Sequence, residues 1–144
     1  MGTELMGAFF ESARRGSVLI FATGNDGAAN PGIPSGLPYL FPELKNNWID
    51  VTSVDKTLRW APNADACGVS AMWCIAAPGE VIYSTIPTNE YKNLNGTSMA
   101  APHVTGAVAI AKQMFPNASG AELASIVLRT AVDIGDPGID DIYG

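Results

Sequence analysis

The stretch NGTSMAAPHVTG, residues 95–106, sets Gly96, Thr97 and Ser98 directly before an apolar run of helical period. A serine at the start of a helix lies where unsatisfied backbone N–H groups and the positive dipole end favour developing negative charge, which is useful to an acyl-transfer nucleophile. A serine hydroxyl is a weak nucleophile that needs a base, and Thr97 or Ser98 in this place equally fits a plain N-cap. His103 is the only histidine in the chain and stands five residues beyond Ser98. Five helical residues mean roughly 500° of rotation and about 7.5 Å of rise, leaving the two side chains about 140° apart. His103 is therefore read as an internally hydrogen-bonded helix histidine, and a base for Ser98 must come from elsewhere. With one histidine, a His-rich metal centre is also excluded. Pro102 removes the helical bond toward the Ser98 carbonyl, which either fixes the helix entrance or frees the first turn to present Ser98.

A second polar group stands at the end of an apolar run in VLIFATGNDG, residues 18–27, where Asn25 sits between Gly24 and Asp26. Alone, Asn25 is a turn former. The two cysteines, Cys67 and Cys74, have neither CxxC spacing nor a second pair for zinc. A local disulfide is the reading, with two separate buried thiols as the alternative, and a disulfide places the chain outside a reducing compartment. Two glycosylation sequons begin at Asn95 and Asn117. A glycan on Asn95 would obstruct a cleft at Ser98, so that sequon is read as unused.

These residues need a scaffold. The chain has 144 residues, of which 47% are hydrophobic and 15% charged, a balance that excludes disorder and fits one domain. Its net charge of −6 argues against a phosphate grip on nucleic acid, and no apolar run is long enough to span a bilayer. Leu5, Met6, Phe9, Phe10 and Ala13 predict a helix over 4–15 packed by one face. VLIFAT predicts a buried strand ending at the Asn25 turn, in an α/β sheet whose ligands bind beyond the carboxyl ends of parallel strands. Residues 26–47, rich in Gly, Pro and Asn, read as a surface excursion. Strands follow at WIDVTSV, CIAAPG and VIYSTI, extending one sheet, before NEYKNLNG returns to an irregular path. Residues 97–115 read as a mostly buried helix with Ala100, Val104, Ala107, Val108 and Ala111 near one face. Ser119 and Glu122 form a capping-box signature for a last helix to about Thr130.

NGTSMAAPHVTG closely resembles the nucleophile segment of subtilisin-like serine peptidases, and VLIFATGNDG resembles that family's strand and oxyanion-asparagine segment. WIDVTSV and AAPGEVIYSTI are similar to the strands lying between them. The resemblance implies a parallel-sheet sandwich with flanking helices, an Asp-His-Ser triad with Ser98 as nucleophile, and Asn25 with the Ser98 N–H as oxyanion donors. It also implies that Ala22, Thr23 and Gly24 border the first specificity pocket. The Cys67–Cys74 loop resembles the paired-cysteine loop of passenger peptidases in bacterial autotransporters. This implies secretion or display at the bacterial surface, with outer-membrane attachment through a downstream domain.

The similarity covers residues 1–144 as the C-terminal portion of such a catalytic domain, incomplete at both ends. The family's Asp-Thr/Ser-Gly and His-Gly-Thr-His segments, expected before Ser98, are absent from the sequence. Asp26 is read as shaping the oxyanion turn, and Asp50, Asp55 and Asp65 as solvated surface carboxylates. The expected partners are a polypeptide substrate and the upstream half of the domain. No metal site is assigned and no cofactor is expected. Structural calcium, common in the family, has no convincing oxygen set here. The alternatives are a noncatalytic structural or interaction fragment and an esterase-like hydrolase, the latter disfavoured because G-x-S-x-G is missing. Cleavage specificity is not legible from one wall of the cleft.

Overall fold

Central strands of parallel sheets are buried on both faces and so read as near-continuous apolar runs with few charges. In the computed structural model, which describes residues 2–144, β1 (Leu19–Ala22), β2 (Trp48–Val54) and β3 (Cys74–Pro78) form a parallel sheet in that order. Leu19 pairs with Trp48 and Asp50 with Cys74, so β2 is the middle strand, and all seven of its residues are buried.

The two-residue period of β2 divides the core. Ile49 and Val51 face α3 (Thr97–Met114) and α4 (Gly120–Arg129), where they pack with Ala77, Ala100, Val104, Ala111, Leu123 and Val127. On the other face Trp48 stacks on Phe21 at 4.5 Å between ring centroids and meets Phe9 edge-on at 5.5 Å. Phe9 comes from α1 (Thr3–Arg14), whose Met6, Phe9, Phe10 and Ala13 form its inner stripe. Leu5, expected on that stripe, is exposed. The α1 side chains are only partly covered, so each contributes a fraction of the about 1.5–3 kcal/mol of full burial, and the aromatic cluster anchors α1 by their sum.

Three expectations change. The 26–47 excursion is not merely surface: it carries the short α2 (Leu37–Leu40) and a 3₁₀ segment, Pro42–Asn47, and it buries Ser35, Leu37 and Leu44. Its scattered apolar residues lack a period because each enters the core from a different turn. VIYSTI does not extend the sheet. β4 (Ile82–Ile86) pairs antiparallel with β5 (Glu90–Leu94), the segment read as irregular, in a separate hairpin. Finally, α3 is one-sided rather than mostly buried. Ala107 is exposed, and Ile110 and Met114 stand well over half exposed.

Asp50, expected on the surface, is fully buried beside Trp48, whose Nε1 donates to Oδ1 at 3.0 Å. Its Oδ2 has no hydrogen-bond partner among the described residues. Burial pushes its carboxyl up to about 7, opposed by the neighbouring Ser70 hydroxyl and the Trp48 and Trp73 indoles. Ser70 and Trp73 belong to the 3₁₀ loop Gly68–Trp73, which Cys67 and Cys74 close as a disulfide with Cα atoms 5.8 Å apart. Lys45 lies over the Trp73 ring at 4.6 Å. On the opposite face the sheet is covered by α3 and α4, and the capping box of α4 is formed in full. Ser119 N–H donates to Glu122 Oε2 at 2.7 Å and Glu122 N–H to Ser119 Oγ at 3.3 Å.

Candidate active site

β1 runs out at Ala22, and the chain must then turn sharply without losing its backbone hydrogen bonds. Gly24 makes the turn at φ +129°, where a side chain would also run into the Asp65 carboxylate. Asp65 is 3% exposed, and its Oδ1 accepts from the N–H groups of Asp26 at 2.9 Å and Ala28 at 2.8 Å. Its N–H donates to Gly24 O, while its own carbonyl accepts from the Thr23 and Thr52 hydroxyls, both at 2.8 Å. The residue expected on the surface is thus the brace of the Asn25 turn. An aspartate that follows a Pro-Asn loop gives no sequence signal for this, because its partners lie about forty residues away.

The turn is welded to α3 through Thr97, which has no exposed surface. Asn25 Oδ1 accepts from Thr97 N–H at 2.9 Å and from Thr97 Oγ1 at 3.2 Å, and Thr97 Oγ1 also lies 3.2 Å from Gly24 O. Because the Thr97 N–H can only donate, the atom it meets must be the amide oxygen, and Asn25 Nδ2 is left as the outward donor. It donates to nothing among the described residues, and Asn25 is exposed. The N–H and Oγ of the next residue, Ser98, are likewise without partners, and Ser98 is exposed on the first turn of α3. One anchored unit therefore presents a hydroxyl and two unused N–H donors at a helix N-terminus, the arrangement that stabilises an oxyanion formed on an attacked carbonyl.

Ser98 and Asn25 are thus brought together. His103 is not: its Nδ1 donates to Met99 O at 2.9 Å, one turn back along α3, and its side chain is exposed. Of the expected pocket wall, Thr23 is 1% exposed and its hydroxyl is bonded to Asp65, which leaves Ala22 and Gly24 partly open. Cys74 opens β3, at the end of the strand opposite Gly79 and Gly96, and Cys67 precedes the 3₁₀ loop joined to it. A cavity of about 490 Å³ between β3 and residues 128–144 includes none of these side chains except Cys74. Among the described residues no three His, Cys, Asp or Glu side chains gather into a metal-sized cluster, and no helix is long and apolar enough to cross a membrane.

The chain is similar to known proteins along nearly its whole length. Residues 2–144 match the model of the peptidase S8, or subtilase, family. An extracellular serine protease of Serratia marcescens is 34% identical over 99% of this chain, which corresponds to 16% of that protein. Subtilisin DY of Bacillus licheniformis is 34% identical over 93% of the chain and 46% of its own length. The autotransporter lipoprotein NalP of Neisseria meningitidis is 34% identical over 88% of the chain and 13% of its own length. The solved prenylagaramide maturation protease PagA superposes with a TM-score of 0.80 at 24% identity, covering 99% of this chain and 50% of that one. The chain thus spans half or less of the length of each.

Proposed function

The chain belongs to the subtilase family of serine peptidases, and from that premise we propose that Ser98 is the nucleophile and Asn25 the oxyanion donor of a secreted or surface-displayed endopeptidase. The observation that carries this reading is the Asn25–Thr97 junction, which holds an unpartnered amide N–H beside an unpartnered serine hydroxyl.

In the proposed reaction Ser98 Oγ attacks the carbonyl carbon of a peptide bond while its proton passes to a histidine base held by an aspartate. In this reading neither group comes from residues 1–144: the family's Asp and His segments are expected before Ser98 and are not found here, and His103 is engaged with Met99. The carbonyl oxygen takes up the electron pair of the broken π bond and accepts from Asn25 Nδ2 and Ser98 N–H. Collapse breaks the C–N bond, and the amine leaves with the base's proton. Water then attacks the acyl-serine, through a second oxyanion at the same two donors, and frees Ser98. Ala22 and Gly24 supply one wall of the pocket for the acyl-side residue. The disulfide, together with relatives described as extracellular and as an autotransporter, supports the location.

By this reading residues 1–144 alone do not turn over peptides, and the upstream half of the domain restores turnover. The test is to express this chain with and without that upstream polypeptide and treat both with a serine-directed phosphonate reagent. The expected result is cleavage and a mass adduct on Ser98 only in the combined sample. Ser98-dependent turnover by the chain alone contradicts the division of labour. An active combined sample that survives Ser98→Ala contradicts the nucleophile assignment.

A further inference from the structure

A smaller pocket of about 230 Å³ opens beside the oxyanion donor, lined by Asn25, Asn63, Glu80, Asn95 and Gly96 with backbone from the Ala61–Ala64 turn. Its volume lies below the roughly 300–1,000 Å³ of sites for drug-sized ligands, so it suits one side chain rather than a whole small molecule. Asn25 and Gly96 belong to the same anchored unit as Ser98. A peptide with its reacting carbonyl at Asn25 Nδ2 therefore brings a residue next to the scissile bond over this opening.

Glu80 supplies the only charge in the lining. It is partly buried, and it has no ion pair or side-chain hydrogen bond among the described residues. Its backbone is fixed from both sides. Gly79 before it donates to Val54 O at 3.0 Å and accepts from Gly96 N–H at 2.8 Å, and a Cβ there would strike Ser53 Oγ and Gly96 O. Val81 after it is held at φ +58°, a region that β-branched residues rarely enter, with its N–H bonded to Asn95 Oδ1 at 2.7 Å. Strain of this kind persists only where the surroundings over-determine it, and it concentrates at ligand-binding edges. The carboxylate and the Asn63 amide oxygen offer acceptors to a group rich in donors, and a guanidinium or ammonium is such a group.

We propose that this pocket takes a lysine or arginine side chain of the substrate next to the scissile bond, with Glu80 as the specificity-determining residue. The inference rests on the assignment of Ser98 and Asn25 above. An aspartate or glutamate in the same place meets like charge and is disfavoured, which gives a difference in kcat/KM of about tenfold or more between basic and acidic substrates. The preference shrinks as ionic strength rises, because the pocket is open to solvent.

The test uses the full-length polypeptide containing this chain. It is given a peptide library varied at the positions on both sides of a fixed bond, with products identified by mass spectrometry at low and high salt. The expected result is one position, adjacent to the cut, where Lys and Arg outrun Asp and Glu and where salt narrows the gap. Glu80→Gln is expected to bring that ratio near one, Glu80→Lys to invert it and Glu80→Asp to retain its sign. A library showing no charge preference at either adjacent position overturns the inference, as does a preference unchanged by Glu80→Gln in a variant that still cleaves. Absence of Ser98-dependent cleavage from every peptide removes the catalytic assignment itself, and this inference with it.

Discussion

The middle strand β2 and the rim at Asn25, Glu80 and Ser98 belong to the same sheet and its carboxyl end, yet they treat polar groups in opposite ways. In β2 the Thr52 hydroxyl is bonded to Asp65 O, the Trp48 indole is shared between Ser35 O and Asp50, Asp50 Oδ2 and Ser53 Oγ are sealed in without a partner among the described residues, and nothing faces water. At the rim the anchoring atoms are engaged, since Asn25 Oδ1 takes two bonds from Thr97. The atoms to which roles are proposed above, Asn25 Nδ2, Ser98 Oγ and the Glu80 carboxylate, are left open. A polar group held rigidly while its useful valence stays unused is preorganised for a ligand. A polar group sealed in the sheet serves the fold. Changes confined to the open atoms of the rim should therefore lower rates with little loss of stability, and changes in the floor should do the reverse.

The largest expected separation is at Ser98. Ser98→Ala in the full-length protein should lower kcat on the order of 10⁶-fold, a magnitude carried over from subtilisin. Its unfolding free energy should stay within about 0.5 kcal/mol, as for surface substitutions. Parallel kinetics and denaturant melts check both halves.

Asp50 tests the floor. Its folded-state carboxyl, near 7, lies above the ordinary value of 3.8, so the folded protein holds this proton more tightly than the unfolded chain does. The resulting stability is fully present below about pH 4 and is lost as pH rises through 7, a change on the order of 4 kcal/mol. Melts from pH 4 to 8 should show that decline, and Asp50→Asn should flatten it. A stability that rises across this window in the parent and is unaltered by Asp50→Asn contradicts the burial argument. A smaller floor effect is expected at the Cys67–Cys74 bridge. Replacing both cysteines by serine should cost about 2–3 kcal/mol, read by urea denaturation, because the closed loop is short. Kinetics per folded molecule should change less than stability does, since the bridge reaches the Asn25 turn only through Asp65 and Ala66.

How much of this was legible in the sequence follows from the range of the interactions. β1, β2, β3 and the Ser119 cap depend on neighbours a few residues apart, and their strings of apolar or capping residues announced them. The placement of Ser98 at a helix start and Asn25 at a strand end was legible because local turns create it, while the roles proposed for them came from the family resemblance. What stayed hidden depends on distant partners. Asp65 reads as a loop aspartate until the turn at 24–28 folds onto it, and Asp50 as a surface charge until α1 and the 26–47 segment cover its face. β5 is a polar string, EYKNL, that becomes a strand because β4 lies beside it and Tyr83 stacks on Tyr91 at 5.6 Å. His103 was correctly separated from Ser98 by helical geometry alone.

The central assignment, an oxyanion donor locked by its own oxygen, is tested most directly by Asn25→Ala in the full-length protein, with kcat and KM measured separately. The amide N–H should matter only once the carbonyl oxygen has become negative, so kcat is expected to fall about 10²–10³-fold with KM nearly unchanged. That range, about 2.7–4 kcal/mol, is again subtilisin's own. A variant that keeps its kcat, or that loses only substrate affinity, would contradict the role given to Asn25.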